Sequence, residues 1–178
     1  MARYPVLLVL PSCSRIMNLR LSISVVLALI AVVAGTSAGT DGAPRFQDFA
    51  VTNVFKSKPA AVDLSSDPQA RMYRTQLKRQ AAEGPNFAGH YKIAIWGCGS
   101  SCAAFAIVDS QTGRVYFPPE LPFVTWTGWD GDDFGLQFQI DSRLLVLHGS
   151  PQENTNAGTF YYLWQTNTLR LIHSERKK

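Results

Sequence analysis

The sequence predicts an α+β domain, an antiparallel β-meander of about six or seven strands with one N-terminal amphipathic helix packed on it. Three observations carry that expectation. Between Ser66 and Gly84 apolar side chains recur at helical spacing, bounded by capping residues on one side and Gly84-Pro85 on the other. After Pro85 the apolar residues alternate at period two, and short turn clusters separate the runs.

The first forty residues read as an export signal. Met17-Asn18-Leu19-Arg20 is a short basic start, with Met17 an alternative initiator, and Leu21 to Val33 is an almost unbroken apolar run. Thr36-Ser37-Ala38 supplies the small residues a signal peptidase requires, which puts cleavage after Ala38 and makes 1–38 a signal peptide. The run falls short of the roughly 20 apolar residues a membrane span needs, so no stable membrane span is expected after signal cleavage. Cys13, in Leu10-Pro11-Ser12-Cys13, sits in a faint lipoprotein-like context, but the proline and the second apolar run assign it to the segment that is removed.

Residues 39–65 are rich in Gly, Ala, Pro and Ser and read as a partly disordered leader, in which Phe46 to Phe55 is a candidate docking strand. Residues 66–178 follow as one globular domain. Its helix is capped by Ser66 or Asp67, with Pro68 in the first turn, and Ala70, Tyr73, Leu77 and Ala81 are its core-facing positions. Arg71, Arg74 and Lys78 form a solvated flank. Phe87, Tyr91, Ile93 and Ile95 mark one face of the first strand, and Ala103 to Asp109, apolar on both faces, reads as a central covered strand. Arg114 to Phe117 returns after the turn at 109–113, and Pro118, Pro119 and Pro122 interrupt the sheet. Leu136 to Ile140 with Arg143 to His148, and Phe160 to Trp164 with Leu169 to His173, make two hairpins.

Charge narrows the partners. The signal carries Arg3, Arg15 and Arg20 and no acid, so the 17 basic residues less these three face 13 acidic ones, a net charge of about +1. Nucleic acid is not an expected partner, because phosphate binding needs a dense basic patch. An exported chain works in an oxidising compartment, the periplasm or the exterior, where Cys98 and Cys102 close on each other across Gly99, Ser100 and Ser101. Thiol redox or metal chemistry at the pair is the alternative. A zinc site wants four ligands, yet there is no second cysteine pair and His90, His148 and His173 fall in separate strands. No cofactor and no metal centre are expected.

The candidate binding surface is the loop Trp96, Gly99, Ser100, Ser101 with Trp126 and Trp129 from the 123–135 connection, since large rigid rings beside turn residues suit recognition. Asp130, Asp132, Gly135 and Asp141 echo a calcium loop, but Phe134 stands at its fifth position and a strand follows. An alternative catalytic set combines His90, Ser101 and Asp109 as base, nucleophile and acid, without a nucleophile elbow to support it.

Asn86-Phe87-Ala88-Gly89-His90-Tyr91 and Trp96-Gly97-Cys98-Gly99-Ser100-Ser101-Cys102 resemble the motifs of a family of secreted bacterial proteins, a likeness running from the helix to Trp164 that implies export and no particular activity. A weaker resemblance is to Ivy-type periplasmic lysozyme inhibitors, which also carry a cysteine-closed loop between strands and a later apolar strand entering a Gly-Ser turn, here Leu147-His148-Gly149-Ser150. That family plugs the lysozyme cleft with a loop histidine, and this loop has none. The resemblance therefore implies an architecture, a rigid loop presented by an antiparallel sheet. The function expected from the sequence is a non-catalytic exported binding module, inhibitor-like, for an envelope protein or glycan; an envelope hydrolase using His90 is the alternative.

Overall fold

Among the described residues the β-structure expected after Pro85 forms as eight strands in two four-stranded antiparallel sheets, not as one meander. The computed structural model describes residues 42–126, 134–152 and 157–176. In the first sheet β1 (Tyr91–Gly99) pairs with β2 (Cys102–Asp109), from Tyr91 opposite Asp109 to Gly99 opposite Cys102. On the other edge of β2 lie β3 (Val115–Tyr116), toward Asp109, and β4 (Val124–Thr125), toward Cys102. These two short strands amount to one edge strand broken by Pro118, Pro119 and Pro122, which cannot donate to a ladder. The excursion between them sends Leu121, fully buried, into the core. The second sheet is a meander of β5 (Leu136–Phe138), β6 (Leu144–Gly149), β7 (Gly158–Gln165) and β8 (Thr168–Arg176). The chain leaves the first sheet after β4 and opens the second at β5, and this change of sheet divides the expected meander in two.

Strand alternation then builds three layers. Ile93, Phe105, Ile107, Leu145, Leu147, Phe160 and Tyr162 point between the sheets and form the main core. Each such side chain contributes roughly 1.5–3 kcal/mol by leaving water. The alternate residues of the first sheet, Ala94, Trp96, Ala106 and Val108, pack against Ala70, Leu77 and Ala81 on the helical side. Both faces of β2 are thus covered, as its unbroken apolar run requires.

The helix, α1 (Arg74–Ala81), is shorter than the 66–84 span expected from the spacing. Ahead of it the chain makes successive turns: Ala70 N–H donates to the Asp67 carbonyl and Met72 N–H to the Gln69 carbonyl, bonds to the third residue back. Asp67 accepts from Gln69 N–H through its carboxylate, the bond of an N-cap at the start of these turns, whereas Ser66 Oγ accepts from Val115 N–H and is committed elsewhere. Ala70, Leu77 and Ala81 are still buried, because turns of similar pitch keep them on one side. Gly84, at φ 91°, ends the segment.

Two side-chain amides seal the outer edge of β1. Asn86 accepts from Ile93 N–H and donates to its carbonyl, and Gln80 does the same for Ile95. An edge strand is a template for unwanted pairing, and here the amides occupy it as a neighbouring strand would. Lys92, buried beside them, is paired with Glu83 at 2.8 Å, and that contact holds the Glu83 carboxyl below its ordinary range.

Ahead of the helix, a 3-10 helix at Phe46–Phe49 lies where a docking strand is expected. Phe46 and Phe49 pack on Leu144, Val146 and Tyr161, the outward face of the second sheet. Ser142 fastens the contact through its hydroxyl, which donates to the Phe46 carbonyl at 2.7 Å. No helix among the described residues is long and apolar enough to cross a membrane.

Candidate functional site

β1 and β2 project to a tip where Cys98 and Cys102 form a disulfide with Cα atoms 5.1 Å apart. Gly97 to Ser101 are exposed throughout. Gly99 pairs with Cys102, leaving Ser100 and Ser101 as a two-residue turn, with Ser101 at φ 53°. The Ser101 carbonyl accepts from Trp126 N–H at 3.2 Å, so the tip and the start of the 123–135 connection are neighbours. Thr125 and Ser150 exchange both backbone hydrogen bonds, at 2.7 and 3.0 Å, and this bridge joins the two sheets behind the tip. Gly149 makes the bridge possible: a Cβ there would run into the Thr125 carbonyl.

The expected binding residues separate. Gly99, Ser100 and Ser101 form the exposed turn, and Trp126 is half-buried with its ring edge-on to Phe134 at 5.2 Å. Trp96 is corrected from surface to core. Its place in the alternation of β1 is on the helical side, where it is 8% exposed and packs 4.5 Å from Tyr73. Trp129 and Asp130 to Asp133 lie outside the described residues, so the calcium reading rests on residues that are not described; Asp141 is an exposed turn residue whose carbonyl accepts from Val51 N–H.

The alternative catalytic set is not brought together. Asp109 pairs with Tyr91 at one end of the β1–β2 hairpin, and Ser101 is the turn at the other, about 25 Å away at the usual rise of a strand. The Asp109 carboxylate is occupied by Gln111 N–H and Thr112 Oγ1 in its own turn, at 2.8 Å each. His90 stacks on Tyr91, ring centroids 4.1 Å apart.

What the Asn86-to-Tyr91 motif does is visible in its hydrogen bonds. Asn86 seals β1, Phe87 is a fully buried core ring, and Ala88 and Gly89 take positive φ of 46° and 84° to turn the chain into the strand. Gly89 N–H donates to Ile140 O and Ala88 N–H to Ser142 O, Phe55 N–H donates to Gly89 O, and Ser110 N–H to His90 O. His90 and Tyr91 therefore sit in a rigid frame at the end of the sandwich opposite the disulfide. They line a cleft of about 470 Å³ together with Thr52, Asn53, Arg143 and Trp164. Sequence reading singled out His90 but not Arg143, whose only signal is a cation at a position of inward parity next to β6.

No family model, no curated protein and no solved structure matches this chain.

Proposed function

We propose that this chain is an exported, non-catalytic binding module, working in the periplasm or outside the cell, that presents the Cys98–Cys102 hairpin tip to an envelope protein or glycan. The observation that supports it is the tip itself: an exposed, covalently closed turn, braced from behind by Trp126 N–H and by the Thr125–Ser150 bridge. A loop ordered before binding loses little conformational freedom on complex formation, which is how a small contact gains affinity. Trp126 beside the tip adds an aromatic surface of the kind that anchors interfaces. Ser101, the nucleophile named in the hydrolase reading, lies at the far end of the hairpin from Asp109 and His90.

The test is a pull-down from envelope extract with the oxidised protein, repeated with Ser100→Trp, Ser101→Trp and the Cys98→Ser/Cys102→Ser pair. Recovery of one defined partner or glycan that all three variants lose is the expected result. Equal recovery with the variants, or none with the parent protein, would overturn the reading.

A further inference from the structure

At the end of the sandwich away from the disulfide, strand alternation brings three inward-facing positions together: Tyr91 at the start of β1, Trp164 near the end of β7, and Arg143 just before β6. Their rings and stem close the core incompletely, which leaves the cleft. Tyr91 and Trp164 meet edge to face at 5.3 Å, and the Tyr91 hydroxyl donates to Asn167 Oδ1 at 3.2 Å. The floor is thus aromatic and fixed.

The polar groups on this floor are unspent. Among the described residues the Arg143 guanidinium makes no ion pair or hydrogen bond, and neither the His90 ring nor the Asn53 side-chain amide has a hydrogen-bond partner. Among the described residues no carboxylate lines the cleft, and Asp109, beyond Tyr91, is occupied in its own turn. A half-buried guanidinium with no acid in reach offers two parallel donors at the spacing of a carboxylate. The frame is also held in place, since Ala88 is kept at a positive φ that non-glycine residues avoid by hydrogen bonds to the 139–142 turn.

From these groups we infer that the cleft is a second site, binding a small organic carboxylate that carries a ring. The carboxylate pairs with Arg143, Asn53 and His90 donate to the lone pairs left on its two oxygens, and the ring lies on Tyr91. A volume of about 470 Å³, open to solvent on one side, is in the size range of sites that take a ligand of one or two rings. The carboxylate and ring are shared by an aromatic acid and by an acidic sugar, and the experiment separates the two. This site is independent of the tip, so either reading can fail alone.

The test is a titration of the isotope-labelled full domain with benzoate and with glucuronate, each beside its neutral counterpart, benzyl alcohol or methyl glucoside, following backbone amide shifts. Saturable shifts at residues 88–91 and 164–167 with one or both acids are expected, with the neutral counterpart weaker by at least about tenfold, the value of one charge-assisted pair. Arg143→Gln should weaken the acid by a similar factor, and Arg143→Lys by less, since it keeps the charge and loses the fork. An aromatic acid is indicated if benzoate alone binds, an acidic sugar if glucuronate alone does. Absence of shifts at the cleft with both acids, equal binding of acid and neutral compound, or undiminished binding by Arg143→Gln would each overturn the inference. The comparison of acid with neutral compound uses the unaltered protein, so it stands even where a variant folds poorly.

Discussion

The two ends of this sandwich are made by the same strands and finished in opposite ways. At the disulfide end, backbone meets backbone: Thr125 and Ser150 pair across the sheets, Gly149 admits the approach, and a covalent loop projects beyond. At the other end the backbone crossing is displaced to one side, from Ala88 and Gly89 to Ile140 and Ser142, and the centre is left to Tyr91, Arg143 and Trp164. Backbone pairing satisfies its own polar groups and leaves only a surface to display. Side chains that fill a gap imperfectly leave a concavity with donors still free. One fold thereby yields a projecting end and a receiving end.

The largest expected effect breaks the closed end. Gly149→Ala drives a Cβ into the Thr125 carbonyl and to 3.0 Å from Trp126 Cα, at a backbone φ of 150° that side chains rarely adopt. A loss of about 3 kcal/mol or more is expected in urea unfolding. Gly89→Ala at the open end meets the Asn53 carbonyl at 2.5 Å, but Asn53 lies on an exposed stretch that can give way, so about 2 kcal/mol is expected. An equal or reversed order would show that the two ends do not differ in rigidity.

Tyr162 tests the core both ends share. It is 4% exposed, and burial pushes its phenol up to about 12. A folded pKa above the unfolded one means that this contribution is full below pH 10 and is lost as pH rises toward 12, because only the unfolded chain ionises readily there. About 2 kcal/mol should disappear across that window, and Tyr162→Phe should flatten this limb. Tyr91 and Tyr161, also raised by burial, leave a smaller slope in the variant. An unchanged alkaline limb in Tyr162→Phe would place the titration elsewhere.

Sequence patterning made some of this legible, for stated reasons. Alternation identified β1 and the two later hairpins, since period two is enforced wherever one face is buried, and the unbroken apolar run identified β2 as a covered strand. The short loop between Cys98 and Cys102 fixed the tip. β4 was not foreseen, because two residues just after Pro122 carry no period. Trp96 was misplaced because a tryptophan beside a turn looks like a surface anchor, whereas its parity with Ala94 puts it under the helix. The helix was drawn too long because turns with bonds to the third residue back also return Ala70 to the face of Leu77. The cleft was invisible, since Thr52, His90, Arg143 and Trp164 meet only after the two sheets are stacked.

Removing the disulfide should matter less than Gly149→Ala and should stay local. A loop of this size restricts the unfolded chain by about 2 kcal/mol in the chain-entropy account. Cys98→Ser/Cys102→Ser should lose that amount in urea unfolding while the amide shifts of residues 88–91 keep their positions. Movement of those shifts would mean that the two ends are coupled through β1.

The smallest expected effect on stability is the one that most sharpens the comparison. Arg143 is half-buried, and among the described residues its guanidinium contributes no hydrogen bond or ion pair, so Arg143→Gln removes a charge and the end of an aliphatic stem and little else. Its unfolding free energy in urea should stay within about 0.5 kcal/mol of the parent, the range of substitutions that break no specific contact. Lys92 is the internal control. Its ammonium is equally cationic but buried and paired with Glu83, so Glu83→Gln strands a charge and should destabilise by more. If Arg143→Gln instead costs as much as Glu83→Gln, the guanidinium is holding the open end together. The free donors that distinguish that end from the closed one would then not exist.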